Sequence, residues 1–135
     1  MKNILVSLIF SFCSIASAQS QEEIATAVVQ AQLEAYNAKD INAFMKVFSK
    51  DAAIFNFGET KPIASGEEAV RKVYANLFKK SPDLHSLVIN RSVIGSKVLD
   101  YELITGRQGQ TEALKLIAIY EVENGLITKA TFIRE

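Results

Sequence analysis

Few residues in this chain have the type and spacing to do chemistry. The densest group is Arg91, Asp100, Glu102 and Lys115, spread over three apolar runs rich in Val, Ile and Leu. If Gly95-Ser96 is a two-residue turn, Arg91 falls opposite Asp100 and Ile89 opposite Glu102. If Gln108-Gly109 is the next turn, Glu102 falls opposite Lys115 and Tyr101 opposite Leu116. Arg91, Asp100, Glu102 and Lys115 then share one sheet face, and two readings of it stand. In one, Asp100 and Glu102 form a carboxylate pair suited to general acid–base work. In the other, Arg91–Asp100 and Lys115–Glu102 are structural cross-strand ion pairs. A single bulge would reverse the parity.

His85 is the only histidine and a candidate base near neutral pH. One histidine without carboxylate companions makes no metal site, so no metal and no other cofactor is expected. The serines lack a Gly-x-Ser-x-Gly elbow, and no glycine-rich phosphate loop occurs. Tyr36 and Tyr74 occupy core-facing helical positions from which their hydroxyls could reach a pocket.

The elements that must position these residues follow from periodicity. Residues 21–39 carry apolar residues at helical spacing. Asp40 is an N-cap for a second short helix with Ile41, Phe44, Val47 and Phe48 on one face. Residues 52–57 read as a strand closed by Gly58. Ser65 and Glu68 have the spacing of a capping box for a third helix, which Ser81-Pro82 ends. Residues 84–94, 98–105, 112–122 and 126–133 read as antiparallel strands, the last two joined by Asn124-Gly125. The expected class is α+β, with a curved antiparallel sheet wrapped on three N-terminal helices and a pocket at its mouth.

The chain has 135 residues and a formal net charge of zero, which suits one domain and argues against nucleic acid as a partner. Residues 1–18 have the form of a signal peptide: Lys2, an apolar stretch from Ile4 to Ile15, and the small-x-small site Ala16-Ser17-Ala18. The stretch is short for a membrane span. Phe12 before Cys13 does not fit a lipobox, and cleavage removes the only cysteine. Export to the periplasm or medium is therefore expected, with one domain at 19–135 and no membrane association in the mature form.

Several stretches resemble the nuclear transport factor 2-like superfamily, in its SnoaL-like and steroid-isomerase-like branch. They are residues 35–44, 48–54, 65–70 and 119–127, together with Pro82-Asp83-Leu84-His85, Asn90-Arg91 and Asp100-Tyr101-Glu102. The resemblance implies a cone-shaped roll, often homodimeric through the outer sheet face. It hosts isomerases, cyclases, hydrolases and binding modules alike. The ketosteroid isomerase pattern needs a carboxylate base with tyrosine and aspartic acid as oxyanion donors. The corresponding positions here read Asn56, Gln32 and Ala118, so that activity is not expected.

The resemblance also places Ala118 on the concave side. By parity Asn90, Tyr101, Leu103 and Leu116 join it, and Gln32, Asn56, Tyr74 and Phe132 complete a mostly apolar pocket. Three functions stand as readings. One is a binder of a small apolar or carbonyl-bearing molecule; another is a cofactor-independent enzyme using Asp100 or His85. A third is a protein-interaction module built on the sheet.

Overall fold

The computed structural model describes residues 18–135; the signal peptide expected at 1–18 lies, but for Ala18, outside them. Helix α1 spans Gln21–Ala38 and starts at a capping box. Ser20 Oγ accepts from the Glu23 amide at 3.1 Å, and the Glu23 carboxylate accepts from the Ser20 amide at 3.0 Å. Its buried face is Ala25, Val29, Gln32, Ala35 and Tyr36. Lys39 ends it in the left-handed conformation. Asp40 caps α2, Ile41–Lys46, by accepting from the Asn42 and Ala43 amides, as its side chain and position require.

Strand β1, Phe48–Asn56, pairs antiparallel with the two-residue β2, Ala64–Ser65. Ser65 is thus a strand residue and not a helix cap. Helix α3, Glu67–Lys80, is capped instead by Gly66 at φ 89°, with no side-chain cap bond. The chain must turn sharply from β2 into α3 at that point, which glycine allows.

Strands β3 (His85–Ile94), β4 (Lys97–Thr105), β5 (Leu114–Glu123) and β6 (Leu126–Arg134) form an antiparallel meander. The six strands lie in the order β2-β1-β6-β5-β4-β3, with β1 parallel to β6. Two hairpins are tight. Ile94 pairs with Lys97 across Gly95-Ser96, and Glu123 pairs with Leu126 across Asn124-Gly125, whose two residues both have positive φ.

The connection between β4 and β5 is not a tight turn. It runs from Gly106 to Ala113 and contains a short 3-10 turn, Arg107–Gly109. The register therefore sums one residue higher than a Gln108-Gly109 hairpin demands: Glu102 lies opposite Leu116, and Lys115 opposite Leu103. In β3, Ile89 is an extra residue, so that Val88 pairs with Glu102 and Asn90 with Tyr101.

These two irregularities decide the faces. Val98, Asp100, Glu102 and Ile104 point into the cone with Leu116, Ala118 and Tyr120, and all are buried. Asn90, Tyr101 and Leu103, expected in the pocket, lie instead on the outer face of the sheet. The helices close the concave side. Tyr36, Phe44, Phe48, Tyr74 and Phe78 form one aromatic cluster, with Phe44 and Tyr74 ring centres 4.3 Å apart and Phe44 and Phe48 4.9 Å apart. Each such contact contributes about 0.5–1.5 kcal/mol beyond area burial, so this cluster locks all three helices onto β1.

Candidate active site

Between the helices and the concave face lies a cavity of about 300 Å3. Half of its lining residues are apolar, with Leu33, Ile54, Leu77, Ile104, Leu116 and Phe132 prominent, so it is more polar than the mostly apolar pocket expected. Its polar groups come from every layer: Gln32 and Tyr36 of α1, Asn56 of β1, Tyr74 of α3, Ser86 of β3, Glu102 of β4, Tyr120 of β5, Arg134 of β6 and Arg107 of the loop after β4.

Glu102 is the acid in this cavity, and it is 5% exposed. Ser86 Oγ donates to its Oε2 at 2.8 Å and Tyr120 donates to its Oε1 at 3.4 Å. The β3 bulge makes this possible, because it returns Ser86 to the inner face after Ile89 has been inserted. Burial pushes the Glu102 carboxyl up from 4.5 to about 7. The two hydrogen bonds favour the carboxylate but do not offset burial, and Asp100 two residues back adds to the rise. A carboxyl so placed is shared between its acid and base forms near neutral pH.

Three tyrosines surround it. Burial raises the pKa of Tyr36, Tyr74 and Tyr120, with the negative charge of Glu102 contributing at each, so all three stay protonated donors. Tyr120 is committed to Glu102, whereas the Tyr36 and Tyr74 rings line the cavity with no side-chain partner for their hydroxyls among the described residues. They are free to donate to an occupant.

Asp100 is 1% exposed and does not line the cavity. Both its oxygens accept from Arg91, at 2.7 Å each, while Arg91 also donates to Gln30 at 3.0 Å. It is a structural ion pair behind the site. The companion pair expected between Glu102 and Lys115 does not form, because the register sets Lys115 on the outer face. His85 is exposed at the start of β3 and outside the cavity, so neither expected catalytic residue reaches it.

Gln32, Asn56, Tyr74, Leu116 and Phe132 line the cavity. Ala118 is fully buried opposite Asp100 and touches no open space. Arg107 and Arg134 are cavity residues that sequence reasoning passes over, and hairpin parity sets Glu102 on the wrong face. Arg134 was within reach, since it lies two residues after Phe132 on one strand and so shares its face. Arg107 was not, because a loop residue has no parity. Among the described residues no group of three His, Cys, Asp or Glu side chains is arranged to hold a metal ion.

Comparisons with known proteins agree with this architecture. A cystatin-fold protein from Novosphingobium aromaticivorans is 24% identical, with a TM-score of 0.75 over 87% of this chain and 100% of that one. An NTF2-like protein of unknown function from Cytophaga hutchinsonii is 15% identical, with a TM-score of 0.68 over 82% of this chain and 89% of that one. A protein with a ketosteroid isomerase-like fold from Catenulispora acidiphila, solved in complex with trimethylamine, is 16% identical with a TM-score of 0.67, covering 78% of this chain and 83% of that one. No curated protein matches the chain. The family model of the SnoaL-like domain matches residues 29–130. With the cone, its cavity and that match in agreement, the chain belongs to the SnoaL-like domain family, within the NTF2-like fold.

Proposed function

We propose that this protein is a cofactor-independent enzyme that moves a proton on a small carbonyl-bearing molecule. The observation that carries the reading is Glu102, a buried carboxyl that lines a half-apolar cavity together with Tyr36 and Tyr74, whose hydroxyls have no side-chain partner among the described residues. Removing a proton from carbon beside a carbonyl requires a base near the C–H and a donor at the oxygen where charge develops. Glu102 supplies the first. Tyr36 or Tyr74, kept neutral by burial, supplies the second. The proton held on Glu102 then returns to a different carbon, or to the same one, and the carboxylate is restored. The positions read by ketosteroid isomerases hold Gln32, Asn56 and Ala118 here, so the acid acts from a different strand and the reaction is not that one.

The test is exchange of α-hydrogens for deuterium in 2-tetralone, followed by proton NMR with native protein and Glu102→Gln. Acceleration by the native protein, lost in the variant, is expected. Equal rates with the two proteins would remove Glu102 from the role and leave a small-molecule binder.

Two further features belong to this reading. The leading segment 1–18 supports export of the folded domain. Among the described residues no helix covers the outer sheet face, which exposes Leu87, Ile89, Tyr101, Ile117 and Ile133, a set suited to pairing with a second copy of the chain.

A further inference from the structure

Two guanidinium groups line the cavity, Arg107 from the loop after β4 and Arg134 from the end of β6. Arg107 is half-buried and Arg134 is exposed, which sets both at its mouth. Among the described residues neither is ion paired; the salt bridges there are Arg91–Asp100 and Lys129–Glu121. Arg134 donates to the Asn56 side-chain oxygen, and its guanidinium carbon lies 4.9 Å from the centre of the Phe132 ring. Both contacts orient the fork and neither carries a formal negative charge.

Arg107 is positioned by its backbone. A Cβ at Gly106 would collide with the Asp83 carbonyl oxygen, so that glycine is pressed against the chain before β3. Ser81 Oγ, on a fully buried residue, accepts from the Gln108 amide at 2.9 Å on the other side. The loop is therefore fixed at both flanks of Arg107. The proton affinity of Arg134 is lowered, chiefly by burial, and Arg107 adds to the lowering. Two cations thus line one opening without a salt-bridge partner among the described residues; the acid nearest Arg134 in the hydrogen-bond network is Glu59, which accepts from the Asn56 side-chain amide at 3.3 Å rather than from the guanidinium. The cavity's own carboxyl, Glu102, is held by Ser86 and Tyr120 and is not their counter-ion.

We propose that the cavity takes a small organic acid, with its carboxylate between Arg107 and Arg134 at the mouth and its apolar body directed inward toward Glu102. This names the substrate class for the proton-transfer site and rests on that reading for the choice of cavity. The observation does not depend on turnover. Planar guanidinium forks match a carboxylate with paired donors, and an apolar wall next to them favours an acid with a hydrocarbon body. A volume of about 300 Å3 limits that body to one or two rings or a short chain.

The experiment is calorimetric titration of the protein with 2-naphthoate and with its uncharged isostere 2-naphthamide, at neutral pH and low salt. Naphthoate is expected to bind at least about tenfold more tightly than the amide. Arg107→Gln and Arg134→Gln are each expected to weaken naphthoate about tenfold while leaving naphthamide unchanged. Circular dichroism of each variant confirms that it is folded, and Arg134→Lys, which keeps the charge without the fork, should fall between native and Arg134→Gln. No preference for the acid, no binding of the acid, or equal naphthoate affinity in the arginine variants would each overturn the proposal. Glu102→Gln separates the two ideas. An acid preference that persists with no role for Glu102 in exchange refutes proton transfer alone. Exchange that depends on Glu102, without arginine-dependent naphthoate binding, refutes the anion site alone.

Discussion

Replacing Glu102 with glutamine should stabilise the protein at high pH while removing the proposed exchange activity. In the folded chain the carboxyl titrates at about 7 rather than 4.5. A raised acid binds its proton more tightly folded than unfolded, so stability falls as pH rises through that interval and levels off above the folded value. The interval corresponds to about 3 kcal/mol at about 1.36 kcal/mol per pH unit. Above pH 7 the native protein carries that whole cost of a buried charge. The Glu102→Gln protein would carry none of it, and the new amide is close enough in shape to keep contacts with Ser86 and Tyr120. Urea unfolding followed by circular dichroism suits this test, because the chain has no tryptophan. At about pH 8 the variant should be more stable by up to about 3 kcal/mol, and at about pH 5 the gap should nearly close. A variant equally destabilised at both pH values would refute the reasoning. It would mean that the carboxylate is a satisfied structural acceptor with an ordinary titration.

Asp100→Asn should behave in the opposite way, losing about 3 kcal/mol of stability near neutral pH because Arg91 is left without its paired anion; an unchanged urea midpoint would refute the structural role. Gly106→Ala should cost at least about 2 kcal/mol, since the new Cβ meets backbone and φ is +69°. It should also weaken naphthoate binding by displacing Arg107. Ile117→Lys on the outer face should shift a concentration-dependent dimer to monomer in analytical ultracentrifugation; a monomeric native protein at all concentrations argues against pairing through the sheet. Expression of the full chain in a Gram-negative host, followed by N-terminal sequencing of the exported product, should give Gln19 as the first residue.

Most of the fold was legible because its signals are local. Asp40 caps the helix it precedes, and Asn124-Gly125 and Gly95-Ser96 make the turns their residues favour. Ser65 and Glu68 had the spacing of a capping box, but the hydrogen bonds of β2 to β1 claimed Ser65 first. Ser20 and Glu23, which do make the box, sit just beyond the apolar leader and give no contrast against it. The resemblance placed Gln32 on an inner face, and helical periodicity placed Tyr74 on one because a helix carries its phase with it along the sequence.

The site was harder to read because sheet phase passes from strand to strand through the turns. One extra residue in a connection moves every side chain of the next strand to the other face. Gln108-Gly109 looked like a turn, but the chain from Gly106 to Ala113 is held against Ser81 and Asp83 and extends as a loop. That displacement carries Arg107 to the cavity and moves Lys115 out of reach of Glu102. The Ile89 bulge adjusts β3 in the same way, bringing Ser86 inward to the same carboxyl. Both irregularities converge on Glu102. Without them the strands would present Tyr101 and Leu103 to a purely apolar cone; with them, a carboxyl and two guanidiniums share one small cavity. The departures from regular pairing are therefore where this fold sets its polar cavity, and restoring either by deletion should rearrange the site while leaving a foldable sheet. Deletion of Ile89 is the sharper test. It should retain strand content by circular dichroism yet move the pH-dependent stability step to higher pH, because Glu102 stays buried on β4 while losing the Ser86 hydroxyl that favours its carboxylate.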